Sequence, residues 1–446
     1  MVGNLAQAFR IPELNRRIIF TLSMLAVYRL GVFVSTPGVN VEALRNMFDT
    51  GEGTLFGMIN LFSGGALEYF SIFTLGIAPY ISVSIVIQLL TPTIPKLEAL
   101  RKEGDSGRRV LTRYTRIGTI ILALFQSFWI ARGLESQGLV VDPGWTFRIS
   151  TMFTLTAGTA FIMWLGEQIT EKGIGNGVSI IIFAGIVARM PEVMVSTIAL
   201  ARTGDISPLA VLLLLVFCIA TIMAIVYVER SHRKIPVQYP RRMVGNQLAQ
   251  AQTQYLPLKV NMSGVIPPIF ASAFMVLFAS MFSFSTSEFW QDIGSHFHPG
   301  NAGYNIMFVV LIVVFCFFYT AVVFNPVDVA ENLRKNGGFI PTVRPGKQTS
   351  DFLYSVLNRL TLWGSIYISA VCVLPQEFYF SFGVTQFAYV FGGTAVLIVV
   401  GVTLDTASQI ESLIVARNYE AFMSRSSKSK GGVAAMGKMG PRLIRK

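Results

Sequence analysis

Apolar runs long enough to cross a lipid bilayer recur along this chain, and that repetition restricts the fold more than any motif does. A helix crosses the hydrocarbon core in about 20 residues. Inside that core each backbone N–H and C=O must be paired, so only helices and closed barrels cross it. Ten runs meet the helical condition, near residues 18–35, 70–90, 117–131, 151–166, 178–190, 208–228, 260–282, 304–324, 360–376 and 387–404. The fifth, "VSIIIFAGIVARM", is short and extends through "VMVSTIAL". Charged residues make up only 13% of the chain, against about 25% in soluble domains. The alternating ten-residue segments of a membrane barrel are missing. The expected fold is an all-α polytopic membrane protein.

The opening "MVGNLAQAFRIPELNRRIIF" lacks the short apolar core and small-residue cleavage site of a secretory signal, so the first run is expected to remain in the protein. Cys218, Cys316 and Cys372 all lie inside apolar runs, at spacings that suit neither a zinc site nor a disulfide framework.

Charge sorts the loops. Of the 36 Lys and Arg, all but Arg29, Arg45, Arg132, Arg148, Arg189 and Arg202 fall on one side of the ten-span topology. The positive-inside rule then places both termini in the cytoplasm. The formal charge of +12 is therefore an asymmetry between faces, which attracts anionic lipid. Two cytoplasmic loops, 229–259 and 325–359, are longer than topology requires, and long polar connections are usually functional. Clustered arginines there suit an acidic protein surface or RNA phosphate.

The predicted spans hold almost no ionisable side chains. Arg29 is near the outer end of the first, where it can snorkel; Glu68 and Asp405 lie at edges. Ion-coupled transporters keep such groups at mid-membrane. A small-molecule secondary transporter is accordingly the second choice, behind a passive channel. His232, His296 and His298 are all in loops; His296-x-His298 without further ligands reads as a solvated pair, and no metal or other cofactor is expected. An intramembrane enzyme is disfavoured because no H-E-x-x-H, G-x-S-x-G or P-loop occurs. "GIGNG", residues 173–177, reads as a turn into the fifth span.

The stretch "NLFSGGALEYFSIFTLGIAPYISVSIVIQLL" sets a short broken apolar segment directly against a spanning one. It resembles the corresponding part of the SecY/Sec61-alpha family of protein-conducting channels. The similarity continues in "EGDSGRRVLTRYTRIGT", "MWLGEQITEKGIGNGVSIIIFAGI", "LPLKVNMSGVIPPIFAS", "FCFFYTAVVFNPVDVAENLRKNGGFIPTVRPGKQT" and "FGGTAVLIVV". It holds in register from about Leu14 to Tyr419, leaving only the tail "RSSKSKGGVAAMGKMGPRLIRK" private.

The resemblance implies two inverted halves of five spans around a central pore. The first would be residues 1–200 and the second 201–424, hinged near 189–207, with 425–446 a disordered basic tail. It implies a plug helix at about 57–69, carrying Asn60, Phe62, Gly64, Gly65 and Leu67. It implies an aliphatic pore ring of Ile77, Ile81, Val178, Ile182, Ile269 and Ile398. The spacing of four within Ile77/Ile81 and Val178/Ile182 puts each pair on one helical face. A lateral gate would use Gln88, Gln126 and Asn261. Arg108, Arg109, Arg241, Arg242 and Arg344 would dock partners. The implied partners are the SecE and SecG subunits, the SecA ATPase, the ribosome with its RNA, signal sequences and nascent chains, with YidC, SecDF and anionic lipids beside them. The implied location is the bacterial cytoplasmic (inner) membrane. After "YPRR" this chain reads "MVGNQLAQ" where many relatives place a second basic pair, which weakens the expected RNA contact near Asn246 and Gln247.

Overall fold

The computed structural model describes residues 11–44, 63–204, 206–239, 243–244, 247–248, 253–283 and 301–436. The helices are α1 (Pro12–Val32), α2 (Ala78–Leu90), α3 (Pro95–Lys102), α4 (Asp105–Ser136), α5 (Trp145–Lys172), α6 (Gly177–Thr203) and α7 (Pro208–Glu229). After them come strands β1 (His232–Gln238), β2 (Met243–Val244), β3 (Gln247–Leu248) and β4 (Thr253–Lys259). The chain continues with α8 (Ile266–Ser283), α9 (Ala302–Val323), α10 (Pro326–Lys335), α11 (Lys347–Ser381), α12 (Thr385–Val390) and α13 (Gly393–Met436).

Helix starts follow local chemistry. Proline opens α1, α3, α7 and α10, where its missing N–H would be unpaired in any case. Asn176, Ser207 and Asn325 cap α6, α7 and α10 by accepting backbone N–H bonds from Val178, Ala210 and Val327.

Each of the ten predicted runs overlaps a helix, and the tenth overlaps both α12 and α13. Among the described residues, seven helices are long and apolar enough to cross a membrane, or eight if the bent pair α2–α3 counts as one span. α1 carries Arg16, Arg17 and Arg29, a heavier charge than a spanning helix usually holds. α7 is apolar on every side, and its Leu209, Leu212, Val216, Ile219 and Met223 stay exposed, as a lipid-facing or partner-facing helix requires.

Three expectations change. The run 70–90 is helical only from Ala78, because residues 63–77 wind as turns. Backbone partners hold that irregular stretch: Thr36 N–H donates to Phe70 O at 2.8 Å and Ile72 N–H to Val34 O at 2.9 Å. Such pairing is what allows non-helical backbone at membrane depth. Second, the all-α reading omitted strands. β1 and β4 form an antiparallel ladder, with β2 and β3 paired within the connection. β1 alternates toward its end, burying Ile235 and Val237 between exposed neighbours. Third, the tail expected to be disordered from 425 continues α13 as helix to Met436. Extending a formed helix avoids the cost of nucleating one.

The packing has two groupings. α1 lies against α5 and α6, while α4 lies against α2 and α5. α9 lies against α8 and α11, and α11 against α7, α12 and α13. The groupings meet where α2 touches α8 and where α6 touches α7, α12 and α13. One apolar core runs through both.

Candidate functional site

The six residues expected to form the constriction fall on four helices. Ile77 is the N-cap of α2, and Ile81 follows one turn later, its N–H bonded to Ile77 O at 3.1 Å. Val178 and Ile182 stand one turn apart in α6, Ile269 in α8 and Ile398 in α13. Ile77, Ile81, Ile182 and Ile398 are buried in a single apolar cluster, and Val178 and Ile269 pack against it from half-buried positions. The four helices come from both groupings, and their residues belong to the core that the groupings share. Bulky aliphatic groups exclude water and ions, yet rotate aside at little cost because no hydrogen bond joins them.

The turn "GIGNG" positions the α6 pair. Ile174 N–H donates to Thr21 Oγ1 of α1, Gly175 N–H to Gln409 Oε1 of α13, and Gly177 N–H to Thr170 Oγ1 of α5. A Cβ on Gly177 would collide with the carbonyl oxygen of Gly166, so only glycine admits this close crossing.

Asn60 and Phe62 of the expected plug, with residues 57–62 generally, lie outside the described residues. The described remainder is bound beside the aliphatic cluster. Ala66 is buried within that cluster, and Leu67 is buried next to it in sequence. Tyr28 Oη donates to Ser63 O at 3.2 Å, and Arg29 Nη1 donates to Gly64 O at 2.9 Å. Arg189 Nη2 meets Glu68 Oε2 at 3.2 Å, with side chains only 20% and 13% exposed. Gly64, at φ +67°, comes so near α6 that a Cβ there would lie 2.9 Å from Gly185 Cα. Gly65 also has positive φ, at +90°.

These contacts change two sequence expectations. Arg29 does not extend toward water, because a carbonyl is in reach. Arg189 is not a loop charge, since α6 continues through Pro191 to Thr203. Glu68, Arg189, Tyr28 and Gly185 were not picked from the sequence as site residues; the only local signal was charge inside or beside an apolar run.

The three gate amides stay apart. Gln88 Nε2 donates to Ser84 Oγ of its own helix at 3.3 Å. Gln126 is half-buried on α4. Asn261 is buried and joins its own turn to the end of α7: Nδ2 donates to Glu229 Oε1 at 2.6 Å and to Gly264 O at 3.1 Å, while Oδ1 accepts from Gly264 N–H and Ser263 Oγ. Among the described residues no hydrogen bond links these three. The helices they mark are neighbours nonetheless, α2 against α4 and α8.

The two long polar loops form one platform. Ile235, Val237 and Leu258 of the hairpin share an apolar core with Ile340, Leu353, Val356 and Leu360, and Gln238 pairs by backbone with Phe339. Arg344 projects from the platform, exposed, with its carbonyl held by Thr349 Oγ1 at 2.9 Å. Arg108 and Arg109 are exposed in the first turns of α4 rather than in a loop. Arg241 and Arg242 lie outside the described residues, as do Asn246, His296 and His298. On neighbouring α3, Lys102 meets Glu98 at 2.7 Å and holds its carboxyl below the usual carboxylate range.

Comparison with known proteins bears on this arrangement. A family model described as SecY matches residues 71–407. The chain is 46% identical over 425 residues to the protein translocase subunit SecY of Escherichia coli (strain K12), covering 94% of this chain and 95% of that one. Against the protein translocase subunit SecY of Aquifex aeolicus (strain VF5) it is 45% identical over 424 residues, covering 94% and 98%. A solved structure described as a protein conducting channel superposes with a TM-score of 0.62 at 17% identity, over 89% of this chain and 92% of that one. Sec61 in the canine ribosome-channel complex gives a TM-score of 0.59 at 16% identity, over 89% and 92%.

Proposed function

This chain belongs to the SecY family of multi-pass proteins of the bacterial inner membrane, and on that premise we propose that it is the channel-forming subunit of a protein translocase. It conducts unfolded secretory chains across the membrane and releases apolar segments sideways into lipid. It is not itself an enzyme: it is a passive gated channel, and the energy comes from a SecA-type motor or from a translating ribosome at the cytoplasmic face.

The observation that supports this reading is that Ile77, Ile81 and Ile182 from one grouping and Ile398 from the other are all buried in the apolar core the two groupings share. Its apolar side chains suit a seal that opens around a chain of any sequence, because they select nothing by hydrogen bonding. Residues 57–69 act as the plug that backs this seal. The two halves, 1–200 and 201–424, part along the α2–α8 contact to form the lateral gate. Both termini and the platform face the cytoplasm, an orientation that the distribution of Lys and Arg supports. Arg344, Arg108 and Arg109 receive the motor or ribosome there, together with Arg241 and Arg242. SecE and SecG cover exposed apolar helix faces such as that of α7.

The test is reconstitution of the chain with its small subunits in vesicles, adding motor ATPase, ATP and an unfolded precursor. Protease-protected precursor that requires ATP supports the channel reading. Uptake of a small solute with no precursor protection would favour the transporter reading instead.

A further inference from the structure

The contacts made by residues 63–69 can be read as an energetic device. The segment contains one charged residue, Glu68, and it meets Arg189 of α6. A second arginine, Arg29 of α1, holds the Gly64 carbonyl, and Tyr28 holds the Ser63 carbonyl. The donors thus come from two different helices, α1 and α6. Gly64 meets Gly185 backbone to backbone, a fit that any side chain at either position would hold open.

At its other end the segment is fixed differently. Phe70 has φ +42° and is fully buried, in a separate apolar cluster with Leu44, Leu75, Leu139 and Leu155. A bulky residue in the left-handed region persists only where its surroundings hold it there. Apolar burial thus fixes Phe70, Ala66 and Leu67, while polar contacts that a competing group can replace hold Ser63 and Gly64 at the far end and Glu68 beside the anchor.

We infer that Arg29 and Arg189, acting on Gly64 O and Glu68, form a latch that sets how readily the idle channel opens, and so which signal sequences it accepts. This rests on reading residues 57–69 as a plug. Swinging the segment about Phe70 separates Glu68 from Arg189 and strips Gly64 O from Arg29. A strongly apolar signal segment supplies enough free energy between the helices to offset that loss; a weakened one does not. Arg29 and Arg189 are positioning residues: they act on the translocating chain only through the segment they hold.

The test uses the full chain purified with its partner subunits. Two quantities are read: idle ion conductance in planar bilayers, and translocation of a precursor whose signal core carries a charged substitution. Arg189→Glu sets two carboxylates together and should raise the idle open probability about tenfold, the change that about 1.4 kcal/mol produces. It should also let the defective precursor through. Glu68→Arg should do the same, and combining the two substitutions should restore closure and discrimination. Arg189→Lys, which keeps the charge, should stay near wild type and shows that position 189 tolerates replacement. Wild-type conductance in both single variants, or a double variant as leaky as either single one, would overturn the latch. Deleting residues 60–67 in the same assay separates the two claims. A leaky deletion beside tight single variants removes the latch and leaves the plug; a tight deletion removes the plug reading itself.

Discussion

Arg101 Nη2 donates to the carbonyl of Val322 at 3.0 Å, joining residues 221 positions apart, drawn from the two groupings. Arg101 is in the last turn of α3, which turns 97° away from α2. Val322 O is among the last carbonyls of α9, which have no partner within their own helix. The guanidinium therefore caps one half of the molecule from the other.

That clasp should oppose parting of α2 from α8. An exposed bond of this kind contributes about 1 kcal/mol. Arg101→Ala should accordingly increase lateral opening about fivefold, read as faster crosslinking of a signal peptide to cysteines placed on α2 and α8. Unchanged crosslinking would assign Arg101 to surface solvation.

Replacing Ile77, Ile81, Val178 and Ile182 together with glycine should make the idle channel conduct ions. Three of the four side chains are buried in the shared apolar core and Val178 packs against it, and glycine leaves a gap that water can enter. Planar-bilayer conductance indistinguishable from wild type would remove these residues from the seal.

Deletion of residues 60–67 should loosen signal discrimination without preventing assembly in the membrane. The described part of that segment contains no spanning helix, only turns. Loss of the protein from the membrane fraction would make it a scaffold element.

The approach of Ile72 to α5 should tolerate no side chain at Gly158, where a Cβ would overlap the Ile72 carbonyl oxygen. Gly158→Ala should cost about 1–3 kcal/mol through overpacking and lower the thermal midpoint of the detergent-solubilised protein. Leu212→Ala, on the exposed face of α7, is the control and should shift it little.

Much of the fold could be read from sequence because burial in lipid leaves a local mark. Apolar runs located the helices, and "GIGNG" was readable as a turn because only glycine fits beside Gly166. The pairing of Arg189 with Glu68, 121 positions apart, leaves no such mark; periodicity reports which face of a helix is apolar, not which residue of another helix it meets. Asn261 shows the same limit. Its amide suggested a gate contact, while the turn before α8 and Glu229 at the end of α7 take up its hydrogen bonds. The hairpin had a usable signal in the alternation around Ile235 and Val237, which the polar composition of the loop obscured.

Arg344→Glu should block motor-driven translocation while fold and topology stay intact. Arg344 is exposed on the platform, and a planar guanidinium suits carboxylates on an acidic partner. Charge reversal replaces attraction with repulsion, which costs several kcal/mol at an interface. ATP-dependent import into vesicles reads the effect, and normal import would leave Arg344 as a topology charge.

If a polypeptide crosses between the residues of the expected constriction, a secretory chain stalled in transit must lie against them. Single cysteines at Ile81 and at Ile182 should both crosslink to a probe in the middle of the stalled chain, whatever its local sequence, while a cysteine at Leu212, exposed on the outer face of α7, should not. Crosslinks at Leu212 with none at Ile81 or Ile182 would contradict the account, because the chain would then cross outside the cluster.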